Sequence, residues 1–393
     1  MARRGSYGGR AGASEHDAWE GVVMAQLAKT VALLAALLGL CGPARADLTE
    51  AVEAGDLAYL RALLDAGLPP DPASLDRAAR LGNLEAVRLL LEAGTHGGAG
   101  DQGQYQSPLE AAAAQGHTQV AWFLLDQAAD VDLDLDEAAA RALQWMRPEV
   151  LRLLVDRGAE QTPEIAAALG DLPRVREAIT SDTPGLGWTM LRRAAAFGQA
   201  EVAQFLLDNG VDANSPDGPA GAPDEWPPIR AAVDAGQTEM VRLLWQHGAR
   251  ATLHQAARIG DAEILQELLD EGADVNALAY YRQATPLHEA AQGGRLEAMQ
   301  FLLQHGASVS AEDRDGYTPV DDCTRWPTES EDRQVAMLEY LLAQGAKPGR
   351  HWDEALANAA WRGRLAVARS LVDHGASVNA RIEHSYVGEH TGQ

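Results

Sequence analysis

The stretch ATPLHEAAQGGRLEAMQFLLQHGASV, residues 284–309, decides the fold of this chain. Variants of it recur from just after an apolar N-terminal stretch to nearly the C-terminus. Recurrence at a roughly constant spacing indicates a solenoid, in which each unit buries its apolar face only against its neighbours. Such a chain presents a long recognition surface, whereas an enzyme concentrates its chemistry in a single pocket.

The spacing of the units follows from the residue that marks the turn within each of them, which is nearly always glycine. These glycines are Gly55, Gly82, Gly116, Gly170, Gly198, Gly236, Gly260, Gly294 and Gly363. Met146 replaces the glycine in one unit, and another unit, at about residues 318–347, is stretched by an insertion. The pattern predicts roughly eleven units with a mean step of about 31 residues.

The amino-acid sequence of the repeat is similar to that of a known family. Residues 285–288 read Thr-Pro-Leu-His and are followed by Ala290 and Ala291, which matches the opening phrase of ankyrin repeats. The chain resembles ankyrin-repeat proteins over most of residues 47–379, and among them the exported, periplasmic ones of bacteria. The resemblance implies an all-α ankyrin-repeat solenoid of helix-turn-helix units at residues 47–380, followed by a polar tail at residues 381–393.

The apolar pattern within a unit agrees with two helices joined by a turn. The first helix carries an alanine pair, as at Ala194 and Ala195, which lets neighbouring helices approach closely while keeping a high helix propensity. The second helix has apolar residues at i, i+3 and i+4, as at Val202, Phe205 and Leu206, which is the spacing of a buried stripe. A glycine then ends the helix, because glycine adopts the left-handed conformation without strain.

Some stretches depart from the repeat. Residues 162–180 have Glu164 after Pro163 where the family has Pro-Leu-His, so we expect a less regular and weaker unit there. Residues 95–106 and 215–228 are rich in Gly, Pro and polar residues and predict elongated loops at the hairpin edge. Repeats resume on both sides of each loop, which argues against a domain boundary at either.

The segment before the repeats, residues 1–46, has the composition of an N-terminal extension and a secretory signal peptide. An uninterrupted apolar run fills residues 31–40, and Ala44 and Ala46 fit the small-x-small rule for cleavage. The run is shorter than the ~18 apolar residues that a membrane span needs. We expect translation from Met24, cleavage after Ala46, a periplasmic or secreted protein, and no stable membrane insertion after cleavage.

Other interpretations of this segment are weaker. A buried helix of the first repeat conflicts with the repeat that already begins at Leu48, and Arg3 and Arg4 lie too far upstream for a twin-arginine signal. Lipidation of Cys41 would require a small residue before it, where leucine stands. Cleavage leaves Cys323 as the one cysteine. We expect it to be buried as a small hydrophobic residue, with a reactive thiol or an intermolecular disulfide as the alternatives.

The chain is strongly acidic, with 57 Asp and Glu against 32 Lys and Arg and a net charge of −25. Such a surface repels nucleic acid and anionic membrane and favours a basic protein partner. Solubility of a long solenoid is an equally good explanation of the same charge. The densest acidic patch comprises Asp130, Asp132, Asp134 and Asp136, which would share one side of an extended segment. Leu135 at the required glycine position argues against an EF-hand calcium loop.

No motif of catalysis, nucleotide binding or metal binding is present, so we expect no enzyme activity, cofactor or metal. His254 and His288 stand where ankyrin repeats use histidine in a local structural role. Three further histidines each precede the glycine that ends a second helix, where a donor or a cation interacts favourably with the exposed carbonyl groups: His247, His305 and His374.

The resemblance implies that a partner contacts the hairpin tips and the exposed side of the first helices. The position before the Thr-Pro phrase is typically exposed in the family, and it holds Gln106, Trp188, Trp226, Ala284 and Tyr317 here. Nearby loops add Tyr105 and the run Tyr280, Tyr281 and Arg282. Exposed aromatic residues have a large surface area and few rotatable bonds, which are the properties of binding hot spots. Two further tryptophans, late in first helices, are expected to pack between repeats: Trp145 and Trp361.

These observations predict a non-enzymatic protein–protein interaction scaffold that is exported to the periplasm. Two alternatives remain open: an immunity-type inhibitor of a basic toxin or nuclease, and a host-directed effector.

Overall fold

A computed structural model describes residues 47–95, 107–127, 134–179, 185–214, 227–326, 330–347 and 351–379. In these ranges the chain forms twenty-two α-helices and no strand, arranged as eleven successive helix-turn-helix pairs. The all-α architecture predicted from the repeat is therefore confirmed, as is the number of units.

The first helices of the pairs are α1 (Leu48–Glu53), α3 (Pro72–Arg80), α5 (Pro108–Gln115), α7 (Leu135–Gln144), α9 (Pro163–Leu169), α11 (Leu186–Ala196), α13 (Pro228–Asp234), α15 (Leu253–Ile259), α17 (Pro286–Gln292), α19 (Pro319–Arg325) and α21 (Trp352–Trp361). The second helices are α2 (Leu57–Asp65), α4 (Leu84–Glu92), α6 (Thr118–Asp126), α8 (Pro148–Asp156), α10 (Leu172–Ala178), α12 (Ala200–Asp208), α14 (Thr238–Gln246), α16 (Ala262–Asp270), α18 (Leu296–Gln304), α20 (Glu331–Ala343) and α22 (Leu365–Asp373).

The turn between the two helices of a pair has the predicted backbone conformation. All nine turn glycines of the sequence pattern have a positive φ, and so does Met146, with a φ of 53°. The loss of glycine at that turn has therefore changed the residue without changing the path of the chain. A non-glycine residue in this region is strained, so we infer that the surrounding pair over-determines the turn.

The chain divides into two compact units, one ending at Glu160 and the other beginning at Gln161. In the first unit each first helix contacts the next, from α1 to α7, and the second helices α2, α4, α6 and α8 do the same. In the second unit the first helices stack in the same way from α9 to α21. Each unit therefore buries its apolar residues between neighbouring pairs, as the repeat pattern requires.

Side chains from one pair cover the turn of the pair before it. In the first unit, Arg147 lies over Gly116, where an added Cβ would be 2.8 Å from the arginine Cδ, and its Nε donates to the carbonyl of Ala114 at 3.1 Å. In the second unit, Gln199 covers Gly170 and donates to the carbonyl of Ala168 at 3.0 Å. These bonds satisfy helix-end carbonyls that have no partner inside their own helix.

The expected departures are visible in the helices. The second helix of the unit at residues 162–180 has only 7 residues and buries Val175 alone. Cys323 is fully buried in α19, as expected of a small hydrophobe. Most of the two loop stretches, residues 96–106 and 215–226, lies outside the described residues.

Candidate functional site

The most exposed aromatic residue in the described part of the chain, Tyr280, lies on the hairpin between α16 and α17 together with a second exposed tyrosine. We call residues 274–285 the tyrosine hairpin, because Tyr280 and Tyr281 stand at its tip with 89% and 63% of their surface accessible. Their ring centroids are 5.0 Å apart in an edge-to-face arrangement. Leu278 beside them is also exposed. Both tyrosines are therefore placed as predicted, and Leu278 adds apolar area that the sequence pattern did not indicate.

The tyrosine hairpin is closed by its own backbone. The amide of Ala279 donates to the carbonyl of Ala284 at 2.9 Å, and the amide of Gln283 donates to the carbonyl of Ala279 at 2.8 Å. Gln283 has a φ of 54°, which turns the chain back toward α17. The tip is therefore a defined turn that holds the two tyrosines in one place.

The preceding repeat holds the base of the tyrosine hairpin. The Nε2–H group of His254 lies 3.0 Å from the carbonyl oxygens of both Ala277 and Ala284, one on each side of the hairpin. Because both partners are acceptors, this nitrogen carries the proton. The structural role expected of His254 is therefore confirmed, and its consequence is to fix the width of the hairpin base.

The following repeat holds the other side of the tyrosine hairpin. The Asn276 side chain donates to the carbonyl of Gly306 at 3.2 Å and accepts from the amide of Ser308 at 2.8 Å. The amide of Arg314 donates to the carbonyl of Arg282 at 2.8 Å. The hairpin is thus bonded to the repeats on both sides of it, so little backbone freedom is left to lose on binding.

Arg282, grouped with the two tyrosines in the sequence prediction, is committed inside the protein. Its Nε lies 2.6 Å from Oδ2 of Asp313, and its terminal nitrogen lies 2.5 Å from Oδ1 of Asp322, while only 25% of its side chain is exposed. Arg282 therefore anchors the tyrosine hairpin to the next repeat and has no fork left for a partner's carboxylate.

The carboxylates that hold Arg282 are themselves buried. Burial raises the pKa of Asp322 to about 6, although the attraction of Arg282 opposes that rise. Burial by itself would lower the pKa of Arg282, but the attraction of Asp322 and Asp313 outweighs it and the pKa is raised. The anchor is thus a buried ion pair whose acidic half costs free energy to keep ionised.

Tyr317 on the next hairpin is half-buried and supports the structure around it. Its ring stacks on His351 with centroids 3.8 Å apart, and the guanidinium of Arg325 lies 4.4 Å from its centroid. Its carbonyl accepts a hydrogen bond of 3.0 Å from Nε2 of His288. Tyr317 is therefore only partly exposed, and it offers a partner less area than the sequence prediction assumed.

His288 has the structural role expected of it. Its Nδ1 accepts from the backbone amide of Thr285 at 3.1 Å, so the ring must be neutral at that nitrogen. Burial lowers the pKa of His288, which is consistent with that tautomer. The three histidines at the ends of second helices also match their prediction, since each Nδ1 lies 2.8 Å from the carbonyl four residues earlier: His247, His305 and His374.

Several tryptophan predictions are corrected by the structure. Trp188 is only 8% exposed, because α11 already begins at Leu186 and its first turn carries the ring into the protein. Ala284, at the equivalent position of another repeat, is fully buried. Trp145 and Trp361 do not pack between repeats; both lie at the C-terminal ends of first helices and are exposed.

The described half of the acidic patch, Asp134 and Asp136, does not continue as an extended row. Asp134 is the N-cap of α7 and accepts from the amide of Glu137 at 2.9 Å. Asp136 is already helical and accepts from the amide of Glu160 at 2.6 Å. A helix begins at Leu135, so the period-two alternation ends there. The remaining predicted residues lie outside the described part of the chain: Ala44, Ala46, Tyr105, Gln106, Asp130, Asp132 and Trp226.

The described residues were compared with the side-chain clusters that hold metal ions and with the helices that cross membranes. Within them no three His, Cys, Asp or Glu side chains come together in a way that could hold a metal ion. None of the helices in the described ranges is both long and apolar enough to cross a membrane. The tyrosine hairpin combines exposed aromatic side chains with a backbone bonded to the repeats beside it, which makes it the candidate functional site.

Comparison with known proteins agrees with the fold. The family model described as ankyrin repeats in three copies matches residues 75–164, 164–252 and 253–351, which is well over half of the chain. The chain belongs to the ankyrin-repeat family. Repeats of this family are generally protein–protein interaction modules.

Two relatives match shorter parts of the chain. It is similar to an ankyrin repeat protein of fowlpox virus (strain NVSL), with 30% identity over 105 residues, which cover 24% of each protein. It is also similar to the 26S proteasome non-ATPase regulatory subunit 10 of Dictyostelium discoideum, with 43% identity over 61 residues, 16% of this chain and 25% of the relative. The match thus spans about a quarter of the length of each relative.

Proposed function

We propose that this protein is a non-enzymatic scaffold that binds another protein, with the tyrosine hairpin as the principal contact. The observation that supports this most directly is the combination of exposure and order at Tyr280 and Tyr281. Both rings are accessible, yet the backbone beneath them is bonded within the hairpin and to both neighbouring repeats. Aromatic side chains on an ordered backbone lose little entropy on binding, which is what a hot spot requires.

The partner that best suits this chain is a basic protein. The chain carries a net charge of −25, so its field attracts basic surfaces and speeds their association. Because Arg282 is neutralised by Asp313 and Asp322, it does not offset that field at the base of the hairpin. Raising the ionic strength is therefore expected to slow association more than it changes dissociation.

We also propose that the protein acts outside the cytoplasm. The support is the apolar run at residues 31–40 followed by Ala44 and Ala46, which has the pattern of a cleaved signal peptide. N-terminal sequencing of the chain recovered from the periplasmic or secreted fraction tests this directly. A first residue of Asp47 supports export and cleavage after Ala46, whereas an intact N-terminus contradicts it.

The binding proposal is tested by replacing Tyr280 and Tyr281 together with serine. The variant and the unaltered chain are used to capture proteins from the exported fraction, and the captured protein is identified by mass spectrometry and titrated. We expect the double variant to lose affinity by at least about tenfold, since two hot-spot aromatics are removed. The circular dichroism spectrum is expected to stay that of the helical protein.

Tyr59→Ser is the matched control. Tyr59 is an exposed tyrosine of α2 in the first compact unit, and its removal is expected to leave the affinity unchanged. Undiminished capture by the Tyr280→Ser, Tyr281→Ser chain would move the binding surface away from the tyrosine hairpin.

A further inference from the structure

The last described helical pair exposes apolar side chains that a soluble surface does not need. Trp361, at the end of α21, and Leu365, at the start of α22, have 73% and 77% of their surface accessible. Val372 and Val378 are exposed as well. We call these four residues the Leu365 face. Scattered single hydrophobes on a surface are ordinary, but four on one helical pair call for an explanation.

The same positions of another pair show what such residues do within the stack. In the pair α17–α18 the equivalents of Leu365, Val372 and Val378 are Leu296, Leu303 and Val309, and all three are partly buried against the hydrophobic core. These positions are covered in α17–α18, which has described pairs on both sides, and exposed in α21–α22, which contains the last described helix.

Helix geometry places two members of this face, Leu365 and Val372, on one side of α22. Leu365, Arg369, Val372 and Asp373 are spaced at i, i+4, i+7 and i+8, which places them on one side of α22. The opposite side of α22 is buried. The N-terminus of α22 is held by Glu331 of α20, whose carboxylate accepts a hydrogen bond of 2.6 Å from the amide of Ala366. The stripe is therefore presented by a helix that is fixed in place from behind.

The charge of this pair differs from that of the rest of the chain. Its acidic and basic side chains are equal in number: Asp353, Glu354, Asp373, Arg362, Arg364 and Arg369. The whole chain has a net charge of −25, so two copies repel each other over most of their surfaces. The Leu365 face is a locally neutral place where two copies can meet without that repulsion.

We propose that the Leu365 face binds the Leu365 face of a second copy of this chain, forming a two-fold symmetric dimer. A two-fold axis beside Val372 sets the two α22 helices antiparallel. Arg369 then lies opposite Asp373 of the second copy, and Leu365 lies toward its Val378. Val372 of each copy then meets the other at the axis, the two Arg369–Asp373 pairs flank it, and the Leu365–Val378 contacts lie outside them, which is the self-complementarity that an isologous interface needs.

This dimer is separate from the partner-binding role of the tyrosine hairpin, which lies on residues 274–285. A dimeric scaffold presents two such hairpins, so it would bind a multivalent partner more tightly than one copy does. Failure of either proposal leaves the other standing, because the Tyr280→Ser, Tyr281→Ser variant is expected to dimerise normally.

Sedimentation equilibrium of the full-length chain tests the proposal. We expect a monomer–dimer equilibrium with no larger species, and a dissociation constant raised by at least about tenfold in the Leu365→Glu, Val372→Glu variant. Leu81→Glu is the matched control, since Leu81 is an exposed leucine of the first unit and its replacement is expected to leave dimerisation intact. Circular dichroism checks that each variant keeps its helices.

A charge exchange tests the symmetry itself. Arg369→Asp and Asp373→Arg are each expected to weaken self-association, because each places like charges opposite one another across the two-fold axis. An equal mixture of the two variants is expected to restore the dimer, as a heterodimer with two Asp–Arg pairs. A chain that stays monomeric at all concentrations, growth into open-ended oligomers, or no rescue in the mixture would overturn the proposal.

Discussion

The pairs α17–α18 and α9–α10 have the same helix-turn-helix structure, but the sequence of α9–α10 matches the repeat less closely. The first has the full Thr-Pro-Leu-His opening and a second helix of 9 residues that buries Ala298, Met299 and Leu302. The second keeps only Thr162 and Pro163 of the opening, and its second helix has 7 residues with Val175 alone buried. Both nevertheless form a helix, a left-handed turn and a second helix.

The difference separates the residues that specify a helix from those that stabilise the stack. In α9–α10 the caps survive, since the Thr162 side chain accepts from the amide of Ile165 at 3.4 Å and Asp171 accepts from Arg174 at 3.3 Å. Caps and turns are local, so they fold the pair even where the opening phrase is lost. Buried area is contributed by neighbours, so a shorter second helix adds less to the stack.

The largest effect is expected from truncating the buried leucine of the full repeat. Leu302→Ala removes a fully buried side chain of α18 and should lower the free energy of unfolding by ~2–5 kcal/mol. Val175→Ala, at the buried position of α10, removes fewer atoms and should cost roughly 0.5–3 kcal/mol. Urea unfolding followed by circular dichroism measures both. Equal losses would mean that α10 contributes as much to the stack as α18 does.

An intermediate effect is expected at the end of the first helix. A Cβ at Gly293 would lie 2.1 Å from the carbonyl oxygen of Arg258, so Gly293→Ala must push neighbouring backbone apart and should cost about 1–3 kcal/mol. The weaker pair has Leu169 at this position, and Leu169→Ala should be nearly neutral by comparison. Thermal unfolding distinguishes the two. A harmless Gly293→Ala would show that α15 and α17 can separate freely.

The smallest change in unfolding free energy is expected from protonating the buried His288. The weaker pair has Ile165 at the equivalent position and therefore lacks this pH dependence. Burial lowers the pKa of His288 below its usual 6.5, so the folded protein holds the neutral ring. Its contribution is fully present above about pH 6.5 and is lost as the pH falls through that value toward the lowered pKa, because the unfolded chain binds the proton first.

His288→Gln is the matched variant for this pH dependence. Gln255 already makes the reciprocal bond with Thr252 in α15, its Oε1 accepting from the Thr252 amide at 2.9 Å, so glutamine can fill the same role. Between about pH 7.5 and about pH 5.5 the unaltered chain should lose more unfolding free energy than this variant. Parallel pH profiles from urea titrations would show that another group is responsible.

Much of the fold could be predicted because its signals are local. The turn at Met146 was recognisable from spacing alone, since its neighbours keep the period, and its positive φ agrees. The less regular unit at residues 162–180 was likewise predictable, because it lacks the Pro-Leu-His sequence of the repeat. The exposure of Tyr280 and Tyr281 followed from their place in a hairpin between two strong repeats.

The rest of the site could not be predicted, because it depends on where side chains meet across repeats. Arg282 stands in a hairpin between Tyr281 and Gln283, and nothing local indicates that Asp313 and Asp322 will bind it. The repeat pattern predicts that Trp188 is exposed just before the first helix of its pair, but α11 already begins at Leu186, so Trp188 lies inside its first turn. Once this residue is part of a helix, packing against the rest of the protein and not its position before Thr189 decides whether its side chain is exposed.

The sequence by itself determined the number of repeats, their helix-turn-helix plan and the acidic character of the surface, because caps, turns, apolar spacing and charge act over a few residues. Tertiary structure alone decided which exposed residues lie on an ordered backbone. The tyrosine hairpin is ordered by His254, Asn276 and Arg282, whose partners lie up to 40 positions away in the chain. Contacts between repeats arise only when the pairs stack, and no periodic pattern within one repeat contains them.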